Sequence, residues 1–437
     1  MLAAATASAA FPWSGKVFAN TMANDRPRVG CIGLGGMGRG DAHGHRSFGD
    51  IVTLCDVDEN QAAKANEDPN IDAGKADLCT DYRKVLERPD IDVVSIVTPD
   101  HWHVKIAIEA LIAGKHVFCQ KPLTLTLEEN QLIRNACRKY NDRVFFVGTQ
   151  QRSDQERFLR AVNMVRRGLI GDVQKITVGI NGGDVGGPFQ KSDPPAGLNW
   201  DMWLGQAPKT DYLLGGFGNN RSYPESRTHY EFRWWYEYSG GKMTDWGAHH
   251  LDIAQWCLGM DGSGPSAVET IAAEQPYAGG DGYNTHPSFK LKYTYANGVT
   301  VFAMSGTGVG VGTTVEKMVD AKGDGPKDKG GKALKGVTGG ENGLLILGET
   351  GTIFVSRGTI LASDSKILSE PIKSDPMLYP SRPTDHMGNF LDCVKSRETP
   401  ICGAEVGGGS VIVCHLGAIA LRTGKALTWD PKERRFT

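Results

Sequence analysis

A carboxylate and an imidazole in one predicted helix have the spacing of a proton-transfer pair. Asp245 and His249 lie four positions apart in a helical pattern over Lys242–Leu258, so both face one side of the helix, together with Asp252. A neighbouring carboxylate fixes the tautomer of an imidazole, which then acts as a general base near neutral pH. The same pattern also fits a helix packed on the core, with Asp245 capping its start and His249 buried.

Two further polar segments each follow a predicted strand. Thr98–His103 comes after the strand Val93–Val97, and Gln120–Pro122 comes after the strand His116–Cys119. Because ligands bind at the carboxyl ends of strands in open parallel sheets, Lys121 is predicted to point into a ligand-binding crevice. Its ammonium group would stabilise a developing alkoxide there. The alternative is a solvated lysine that closes a strand, since most lysines are exposed.

A glycine-rich turn near the start of the chain predicts a dinucleotide site. Gly33, Gly35 and Gly38 have the spacing G-x-G-x-x-G between the predicted strand Arg28–Ile32 and a helical segment. Such a turn lets the backbone approach a pyrophosphate, which the free N–H groups of the helix N-terminus bind. About twenty residues later, Asp56 ends a second strand, where a carboxylate binds the ribose hydroxyls of NAD. A glycine-rich turn of some other α/β domain is the alternative.

Residues 27–150 alternate between strand and helix patterns, and apolar strands separated by helices of this length predict a doubly wound parallel sheet. This part is therefore predicted to be an NAD(P)-binding Rossmann domain. The predicted strands are Arg28–Ile32, Ile51–Cys55, Val93–Val97, His116–Cys119 and Val144–Val147, and the predicted helices are Asp58–Asn66, Asp81–Glu87, His103–Ala113 and Leu127–Tyr140.

Residues 151–437 are predicted to form a second, α+β domain with an open, mostly antiparallel sheet. Short alternating strands with an Asn297-Gly298 turn between two of them indicate an antiparallel hairpin. The late helix 406–423 is predicted to pack back on the Rossmann domain. The other predicted elements are the helices Phe158–Arg167 and Asp385–Lys395 and the strands Val173–Ile180, Phe289–Tyr295, Val299–Met304, Leu344–Leu347 and Thr352–Val355.

The segment Asn181–Gly241 is predicted to be a long loop rich in aromatic residues, among them Trp235. The C–H faces of a sugar stack on indole rings, while its hydroxyls bind polar groups such as Arg233. The segment therefore predicts a carbohydrate site. The alternative is that these aromatic side chains form the core of the second domain.

Composition limits the classes of partner. With 437 residues the chain suits two domains, and its formal net charge of -2 without a long basic block argues against binding to nucleic acid or an anionic membrane. No apolar run approaches the roughly eighteen residues of a spanning helix. The nine cysteines show no C-x-x-C pairing, which predicts buried free thiols rather than disulfides or a zinc site.

Residues 1–26 are predicted to lie outside the fold. Met1–Ala10 consists almost entirely of small residues, and Val17–Ala19 resembles a small-residue cleavage site. These features indicate the remnant of an export leader and therefore a periplasmic protein. Because the charged region of a leader is missing, a disordered tail on a cytoplasmic protein is the alternative.

The glycine turn, Gln120–Pro122 and the Asp245–His249 helix together resemble the Gfo/Idh/MocA family, which includes glucose–fructose oxidoreductase and inositol dehydrogenase. The resemblance extends from Arg28 to about Pro431. It implies an N-terminal Rossmann domain, a C-terminal α/β domain whose open sheet often forms oligomers, and oxidation of a sugar or cyclitol with NAD or NADP. Gln120 departs from the family, which has glutamate there, and this change removes a charge beside the nicotinamide.

The resemblance also implies roles for individual residues. Lys121 is expected to contact the reacting hydroxyl and the cofactor ribose, and His249 to act as the general acid/base together with Asp245. The predicted cofactor-binding residues are Gly33, Gly35, Gly36, Met37, Gly38, Asp56, Thr98, Pro99, His103, Gln120 and Lys121. The predicted substrate-binding residues are Lys121, Gln150, Arg233, Trp235, Asp245 and His249. A metal site formed by Asp245, His249, Asp252 and His286 is conceivable, but no metal is predicted.

The predicted function is oxidation of a secondary hydroxyl of a sugar or cyclitol by a homo-oligomer that uses NAD. NAD is predicted over NADP because no arginine follows Asp56 in the turn 56–59 to pair with a 2′-phosphate. Two other classes stay open. One is a glycosidase that oxidises its sugar transiently with held NAD and then eliminates the aglycone, as some family members do. The other is a non-catalytic dinucleotide- or sugar-binding protein, which the presence of Lys121, Asp245 and His249 disfavours.

Overall fold

The structure, a computed structural model, describes residues 26–71, 74, 76–217, 224–306, 315, 317–325, 342–373, 379 and 385–437. Of the predicted leader or tail, 1–26, only Arg26 falls within these ranges. Arg26 belongs to the fold, because its guanidinium contacts the Asp50 carboxylate at 2.9 Å and the carbonyl oxygens of Arg46 and Gly49 at 2.8 Å each. The prediction that placed Arg26 in the tail is therefore wrong.

The N-terminal domain is built on a six-stranded sheet with the strand order β3-β2-β1-β4-β5-β6. Every pairing in it is parallel, which confirms the predicted doubly wound sheet. The sequence pattern missed β3, whose three residues are too few to show a period. The strands are β1 Arg28–Ile32, β2 Asp50–Cys55, β3 Asp77–Cys79, β4 Val93–Ile96, β5 His116–Cys119 and β6 Phe145–Val147.

Five helices connect these strands. Asp58, Asp81 and Thr126 each stand just before a helix and accept a hydrogen bond from a backbone N–H of its first turn, which fixes where α2, α3 and α5 begin. Helix α4 begins at Asp100, three residues earlier than predicted, so most of the polar segment after β4 is helical. The helices are α1 Gly36–Arg46, α2 Glu59–Asn66, α3 Tyr82–Leu86, α4 Asp100–Ile112 and α5 Leu127–Lys139.

The C-terminal domain contains a nine-stranded sheet with the order β16-β15-β14-β7-β13-β12-β11-β17-β18. Only β7 and β13 pair in parallel, so the predicted mostly antiparallel sheet is confirmed. Its strands are β7 Val173–Ile180, β11 Ala267–Ala273, β12 Phe289–Thr294, β13 Thr300–Ser305, β14 Gly343–Gly348, β15 Thr352–Val355, β16 Ile360–Ala362, β17 Leu427–Asp430 and β18 Arg435–Phe436. The helices of this domain are α6 Phe158–Arg166, α7 Trp200–Leu204, α8 Lys242–Asp245, α9 Gly247–Leu258, α10 Ser365–Ser369, α11 His386–Ser396 and α12 Ala404–Thr423.

The segment Asn181–Gly241, predicted to be a loop, contains regular structure. It holds α7, the 3₁₀ helix His229–Trp234, and a small antiparallel sheet of β8 Gln190–Lys191, β9 Leu213–Phe217 and β10 Pro224–Ser226. These strands have only two to five residues and show no alternation, and β9 and β10 contain glycine or proline, so the sequence pattern missed them. Several of its aromatic side chains form a buried cluster with Tyr283 from outside the segment, namely Phe189, Trp203, Tyr212, Trp234, Trp235 and Tyr238.

Helix α12 lies between the two domains. By length and hydropathy it could cross a membrane, which the sequence reading did not anticipate, but 83% of its apolar window is buried inside the protein, as in a core helix. Asn130 on α5 donates a hydrogen bond to the carbonyl oxygen of Gly408 at 2.9 Å. Ser410 on the same helix donates to Asp252 on α9 at 2.5 Å. The helix therefore connects the Rossmann sheet with the helix that follows Asp245.

The nine cysteines are all free. Seven of them are buried, while Cys79 and Cys137 are half-buried. The prediction of free thiols is confirmed, with burial incomplete at those two positions.

Acid is expected to destabilise the fold partly through His45. This side chain is fully buried against Phe118, and neither ring nitrogen has a hydrogen-bond partner among the described residues. Burial lowers the pKa of His45 to about 3. Between pH 6.5 and 3 the unfolded chain binds a proton that the folded protein does not, so the free energy of unfolding falls by about 1.4 kcal/mol per pH unit below 6.5.

Urea denaturation of His45→Leu between pH 7 and 4 checks this expectation. The free energy of unfolding of the variant is expected to depend less steeply on pH than that of the wild type. His43→Leu, at an exposed position on the same helix, is the control and should follow the wild type. Parallel curves for wild type and His45→Leu would contradict the expectation.

Candidate active site

Lys121 and Asp245 form an ion pair between the two domains. Lys121 directly follows β5, and its Nζ donates to Oδ1 of Asp245 at 2.6 Å and to the Asp245 carbonyl oxygen at 3.2 Å. Both side chains are largely buried. The structure thus brings together, at the carboxyl edge of the sheet, two of the three predicted catalytic residues.

Asp245 lies among several positive charges. The Arg233 Nε is 3.5 Å from its Oδ2, and the Lys242 Nζ is 3.9 Å from the same oxygen. Burial by itself raises the pKa of Asp245, but the charges of Lys121, Arg233 and Lys242 outweigh burial and hold that pKa below its usual range. Asp245 is therefore ionised at neutral pH. Arg233, a predicted substrate-binding residue, belongs to this group.

The predicted single helix Lys242–Leu258 is two helices. Helix α8 ends at Asp245 and α9 starts at Gly247, with Trp246 between them. Asp252 does not share the Asp245 site as predicted, because Arg152 binds its carboxylate at 2.8 and 2.9 Å. A buried carboxylate takes the nearest full cation as its partner, and Arg152 was too distant in sequence to be foreseen.

His249 is buried close to this pair but does not hydrogen-bond to Asp245. Its Nδ1 has no hydrogen-bond partner within the described ranges, and the Asp245 oxygens face Lys121 and Arg233 instead. The predicted tautomer-fixing contact is therefore not formed. Burial, followed by the positive charges of Lys121 and Arg357, lowers the pKa of His249 well below its usual value. The imidazole is neutral at pH 7 and can accept a proton.

Sequence reasoning missed two contributors to this site. Arg357, between β15 and β16, lies 4.6 Å over the Trp246 ring, and its charge acts on both Asp245 and His249. Asp100 accepts a hydrogen bond from Ser239 at 2.5 Å, and burial raises the pKa of Asp100 to about 7. Asp100 could have been recognised as an acid after β4, whereas no local pattern marks Arg357.

The glycine turn fits a pyrophosphate. Gly33 has φ +85°, and a Cβ there would be 2.5 Å from the Val97 carbonyl oxygen, so only glycine is accommodated. Side-chain positions at Gly35 and Gly36 meet nothing within 4 Å, which leaves room for a ligand. Helix α1 has no side-chain cap, and its first backbone hydrogen bond runs from Arg39 to Gly35. The preceding N–H groups, including that of the exposed Met37, have no acceptor among the described residues and can bind an anion.

Asp56 is fixed beside this turn. Its carboxylate accepts hydrogen bonds from the backbone N–H groups of Leu34 at 2.7 Å and of Asp58 at 2.9 Å. Burial raises the pKa of Asp56 to about 6, although these two bonds oppose the shift. The carboxylate stands next to the glycine turn, as a ribose-binding acid must.

Gln120 connects Lys121 to a buried acid on α1. Its Nε2 donates to Oδ2 of Asp41 at 2.6 Å, and its Oε1 accepts from the Lys121 backbone N–H at 3.1 Å. The amide orientation is fixed chemically, because a carboxylate only accepts and an N–H only donates. Burial raises the pKa of Asp41 to about 6. The negative charge that a glutamate would bring at position 120 is thus present one hydrogen bond away.

Two further predicted residues, His103 and Trp235, make contacts that hold the fold together. His103 lies between the loops after β4 and β5, with Nε2 2.9 Å from the Thr98 carbonyl oxygen and Nδ1 2.8 Å from the Pro122 carbonyl oxygen. Burial lowers its pKa to about 4, so at pH 7 the neutral ring donates its one N–H to only one of them. Trp235 is 1% exposed, with the Arg227 guanidinium 4.0 Å over its ring, so that face is not open to a sugar.

The other predicted positions are simply located. Pro99 precedes the first residue of α4, and Gln150 begins the 3₁₀ helix Gln150–Ser153 and is half-buried. His286 accepts or donates a hydrogen bond with Tyr236 at 2.8 Å. The described part of the chain holds no group of three or more His, Cys, Asp or Glu side chains placed to bind a metal.

Both domains match family models. Residues 27–149 match the NAD-binding Rossmann domain of the Gfo/Idh/MocA oxidoreductase family, and residues 163–315 match its C-terminal alpha/beta domain. Among curated proteins, the chain is 33% identical over 156 residues to the alpha-N-acetylgalactosaminidase of Shewanella oneidensis. It is 35% identical over 159 residues to a glycosyl hydrolase family 109 protein of Shewanella sp. W3-18-1. The match spans only about a third of the length of these curated relatives (33% and 34%).

Solved structures share the fold over almost the whole chain. A levoglucosan dehydrogenase in complex with NADH and levoglucosan is 16% identical, with a TM-score of 0.60 over 92% of this chain and 99% of that one. The WlbA dehydrogenase of Bordetella pertussis, in complex with NADH and UDP-GlcNAcA, is 17% identical, with a TM-score of 0.60 over 92% and 98%. At these identities the likeness concerns the fold alone. The two matched family models, which together cover more than half of the chain, show that it belongs to the Gfo/Idh/MocA family of NAD-binding oxidoreductases.

Proposed function

We propose that the protein oxidises a secondary hydroxyl of a carbohydrate and uses NAD as the oxidant. The observation that carries this proposal is the Lys121–Asp245 ion pair at the carboxyl edge of the Rossmann sheet, with neutral His249 beside it. Alcohol oxidation requires a base for the hydroxyl proton, a cation for the developing alkoxide and a hydride acceptor. The first two lie together here, on the side of the sheet where the glycine turn would hold the third.

The protein residues divide this work. His249 is neutral at pH 7 and has a lone pair that can accept the proton. Because its lowered pKa makes it a weak base, the proton transfer depends on Lys121 stabilising the alkoxide as it forms. Two of the three ammonium N–H groups of Lys121 contact Asp245, and the third has no acceptor among the described residues, which leaves it to donate to the substrate oxygen. Asp245 holds the ammonium group in place. A bound NAD supplies the hydride acceptor, and the open glycine turn and Asp56 are the residues that would hold it.

Sugar and cyclitol panels assayed by NADH absorbance test this proposal. The expected result is NADH formation in proportion to sugar oxidised, with at least one pyranose or cyclitol. No reduction of NAD by any member of the panel, with a protein that binds NADH, would contradict it.

A glycosidase that keeps its NAD is the second candidate function. The specific observation in its favour is that two curated relatives are named as an alpha-N-acetylgalactosaminidase and a glycosyl hydrolase family 109 protein. The same His249 and Lys121 would begin that reaction by oxidising a hydroxyl of the glycoside. Release of nitrophenol from p-nitrophenyl α-N-acetylgalactosaminide without net NADH favours the glycosidase, whereas stoichiometric NADH favours the dehydrogenase.

The protein is expected to prefer NAD to NADP. Asp56 stands beside the glycine turn, and the following turn offers Asp58 and Glu59 but no arginine. A 2′-phosphate would meet carboxylates there, which disfavours NADP electrostatically. NADPH is expected to bind at least about tenfold more weakly than NADH in a fluorescence titration, and comparable dissociation constants would contradict this. Asp56→Asn should reduce the ratio of the NADPH and NADH dissociation constants.

Export and oligomerisation are further proposals. A leader remnant over Met1–Ala19, with a small-residue cleavage site at Val17–Ala19, supports export. The half-buried alternate residues of β12 and β13, which leave one face of the nine-stranded sheet partly exposed, support oligomerisation. Fractionation of cells that express the full reading frame tests export, and an uncleaved, purely cytoplasmic product would exclude it. Light scattering of the purified protein tests the oligomer, and a monomer at micromolar concentration would exclude it.

A further inference from the structure

The C-terminal domain reaches across the cofactor edge of the Rossmann sheet through one short segment. This segment, residues 195–206, is called the strap below and includes α7. It is attached to the loops that follow two strands of the parallel sheet, β2 and β4. In the sheet order these two strands lie on either side of β1, whose carboxyl end runs into the glycine turn.

The first attachment is next to Asp56. The backbone N–H of Glu59 donates to the Gly197 carbonyl oxygen at 3.0 Å, and the N–H of Asn199 donates to the Val57 carbonyl oxygen at 2.9 Å. The Asn60 side-chain amide donates to the Ala196 carbonyl oxygen at 2.9 Å. The strap and the turn after β2 thus pair like two short antiparallel strands across the domain boundary.

The glycine at position 197 makes this close approach feasible. Gly197 has φ +88°, and a Cβ there would lie 2.9 Å from Asn60 Nδ2. Any side chain there would strain the backbone and displace the Asn60 amide from its bond to the strap. Leu198, the next residue, is 8% exposed and packs in the aromatic cluster of the second domain. The attachment is therefore continuous with a rigid core.

The second attachment is on the first turn of α4. The Trp203 carbonyl oxygen accepts from Trp102 Nε1 at 2.8 Å and from His101 Nε2 at 3.0 Å, while Gln206 donates to the His101 carbonyl oxygen. Because a carbonyl only accepts, His101 is the Nε2–H tautomer. A glycine is required here as at position 197. Gly205 has φ +54°, and a Cβ there would overlap the Trp102 ring.

We infer that the strap closes the adenosine half of the cofactor site, so that NAD cannot leave unless the strap detaches. A segment fastened beyond β2 and beyond β4 must pass the carboxyl end of β1, where the glycine turn binds the pyrophosphate. Neither attachment involves Lys121, Asp245 or His249, so the strap acts on cofactor exchange and not on the chemical step. This inference rests on the proposed function only for its consequence, which is that release of the NADH formed in each oxidation limits the rate of turnover.

Dissociation of NADH from the full-length protein tests the strap. NADH is bound to the protein, chased with excess ADP-ribose, and followed by stopped-flow energy transfer from tryptophan. Asn60→Ala removes one side-chain bond of the first attachment at an exposed position, and Trp102→Phe removes one bond of the second. Gly197→Ala disturbs the first attachment more than Asn60→Ala does, because it also strains the backbone at φ +88°. Gly216→Ala, with space for a Cβ in the same domain, is the control.

The wild type is expected to release NADH slowly, and all three strap variants at least about tenfold faster, with the Gly216→Ala rate equal to the wild-type rate. Thermal melts establish that the variants are folded. Wild-type release as fast as that of Asn60→Ala and Trp102→Phe would overturn the inference, and so would acceleration by only one of the two. No sugar is present in this experiment, so slow release that the variants accelerate supports the strap even if no carbohydrate proves to be a substrate.

Discussion

Lys121→Ala is expected to lower kcat by a factor on the order of 10²–10³ and to raise the KM for the carbohydrate. The ammonium group binds Asp245 at 2.6 Å and is the cation placed to meet a developing alkoxide. Its loss removes stabilisation that is strongest in the transition state, so kcat falls. It also removes a donor to the ground-state hydroxyl, so substrate binding weakens.

Lys242→Ala is the matched control for this variant. Lys242 is another largely buried lysine near the same carboxylate, but its Nζ lies 3.9 Å from Asp245 and makes an ion pair without a short hydrogen bond. Its replacement lowers the local positive charge without removing the donor, so the loss in kcat should be at least tenfold smaller. Equal losses for the two variants would mean that Lys121 contributes only charge. NADH titrations and thermal melts separate these effects from cofactor binding and folding.

The Rossmann half of the fold could be predicted from the sequence because its signals are local. The β-branched strand before Gly33 and the carboxylate after β2 can each be recognised from the residues next to them in the sequence. The structure confirms that they lie together, because the Leu34 N–H donates to Asp56 at 2.7 Å. The parallel order of the strands then follows from the right-handed connections. Of the strands of this sheet, only β3, with three residues, was not predicted.

The candidate site was predicted less completely because its contacts are long-range. The sequence spacing placed Asp245 with His249 and Asp252, yet the structure pairs Asp245 with Lys121 and Asp252 with Arg152. In each case a buried carboxylate is bound by a cation at least a hundred positions away in the chain. Helical periodicity predicts which residues share a face of the helix. It does not predict which charged side chain of another element will bind to that face.

The aromatic segment shows the same limit for packing. Its composition predicted sugar stacking, and Trp235 was assigned to the substrate, whereas the structure buries Trp235 beneath Arg227. Composition cannot distinguish an aromatic core from an aromatic site, because both require large apolar faces. The strap arises from this segment, and its attachment to Asn60 could not be foreseen from either partner alone.

His249→Ala is expected to lower kcat by a factor on the order of 10²–10⁴, the usual contribution of a positioned general base. The fold should survive, since the ring makes no hydrogen bond at Nδ1 within the described structure and the variant only leaves a small polar cavity. Free imidazole is expected to restore part of the activity by entering that cavity, which a purely structural role would not allow. His250→Ala, the neighbouring buried histidine that binds Asn342, is the control for packing and should retain most of the activity.

The double variant Lys121→Ala/His249→Ala measures whether the two residues act as one unit. Proton removal and alkoxide stabilisation belong to the same step, so the combined loss should fall well short of the product of the two single losses. If His249→Ala instead oxidised a good substrate at close to the wild-type rate, α9 would not carry the base. His103 is a poor replacement because both of its ring nitrogens face backbone carbonyls, and His101, although its Nδ1 has no partner among the described residues, is buried against the Trp203 and Tyr238 rings. Asp100 would then be the next candidate, since burial raises its pKa to about 7 and the charges of Lys121, Asp245 and Arg233 act on it.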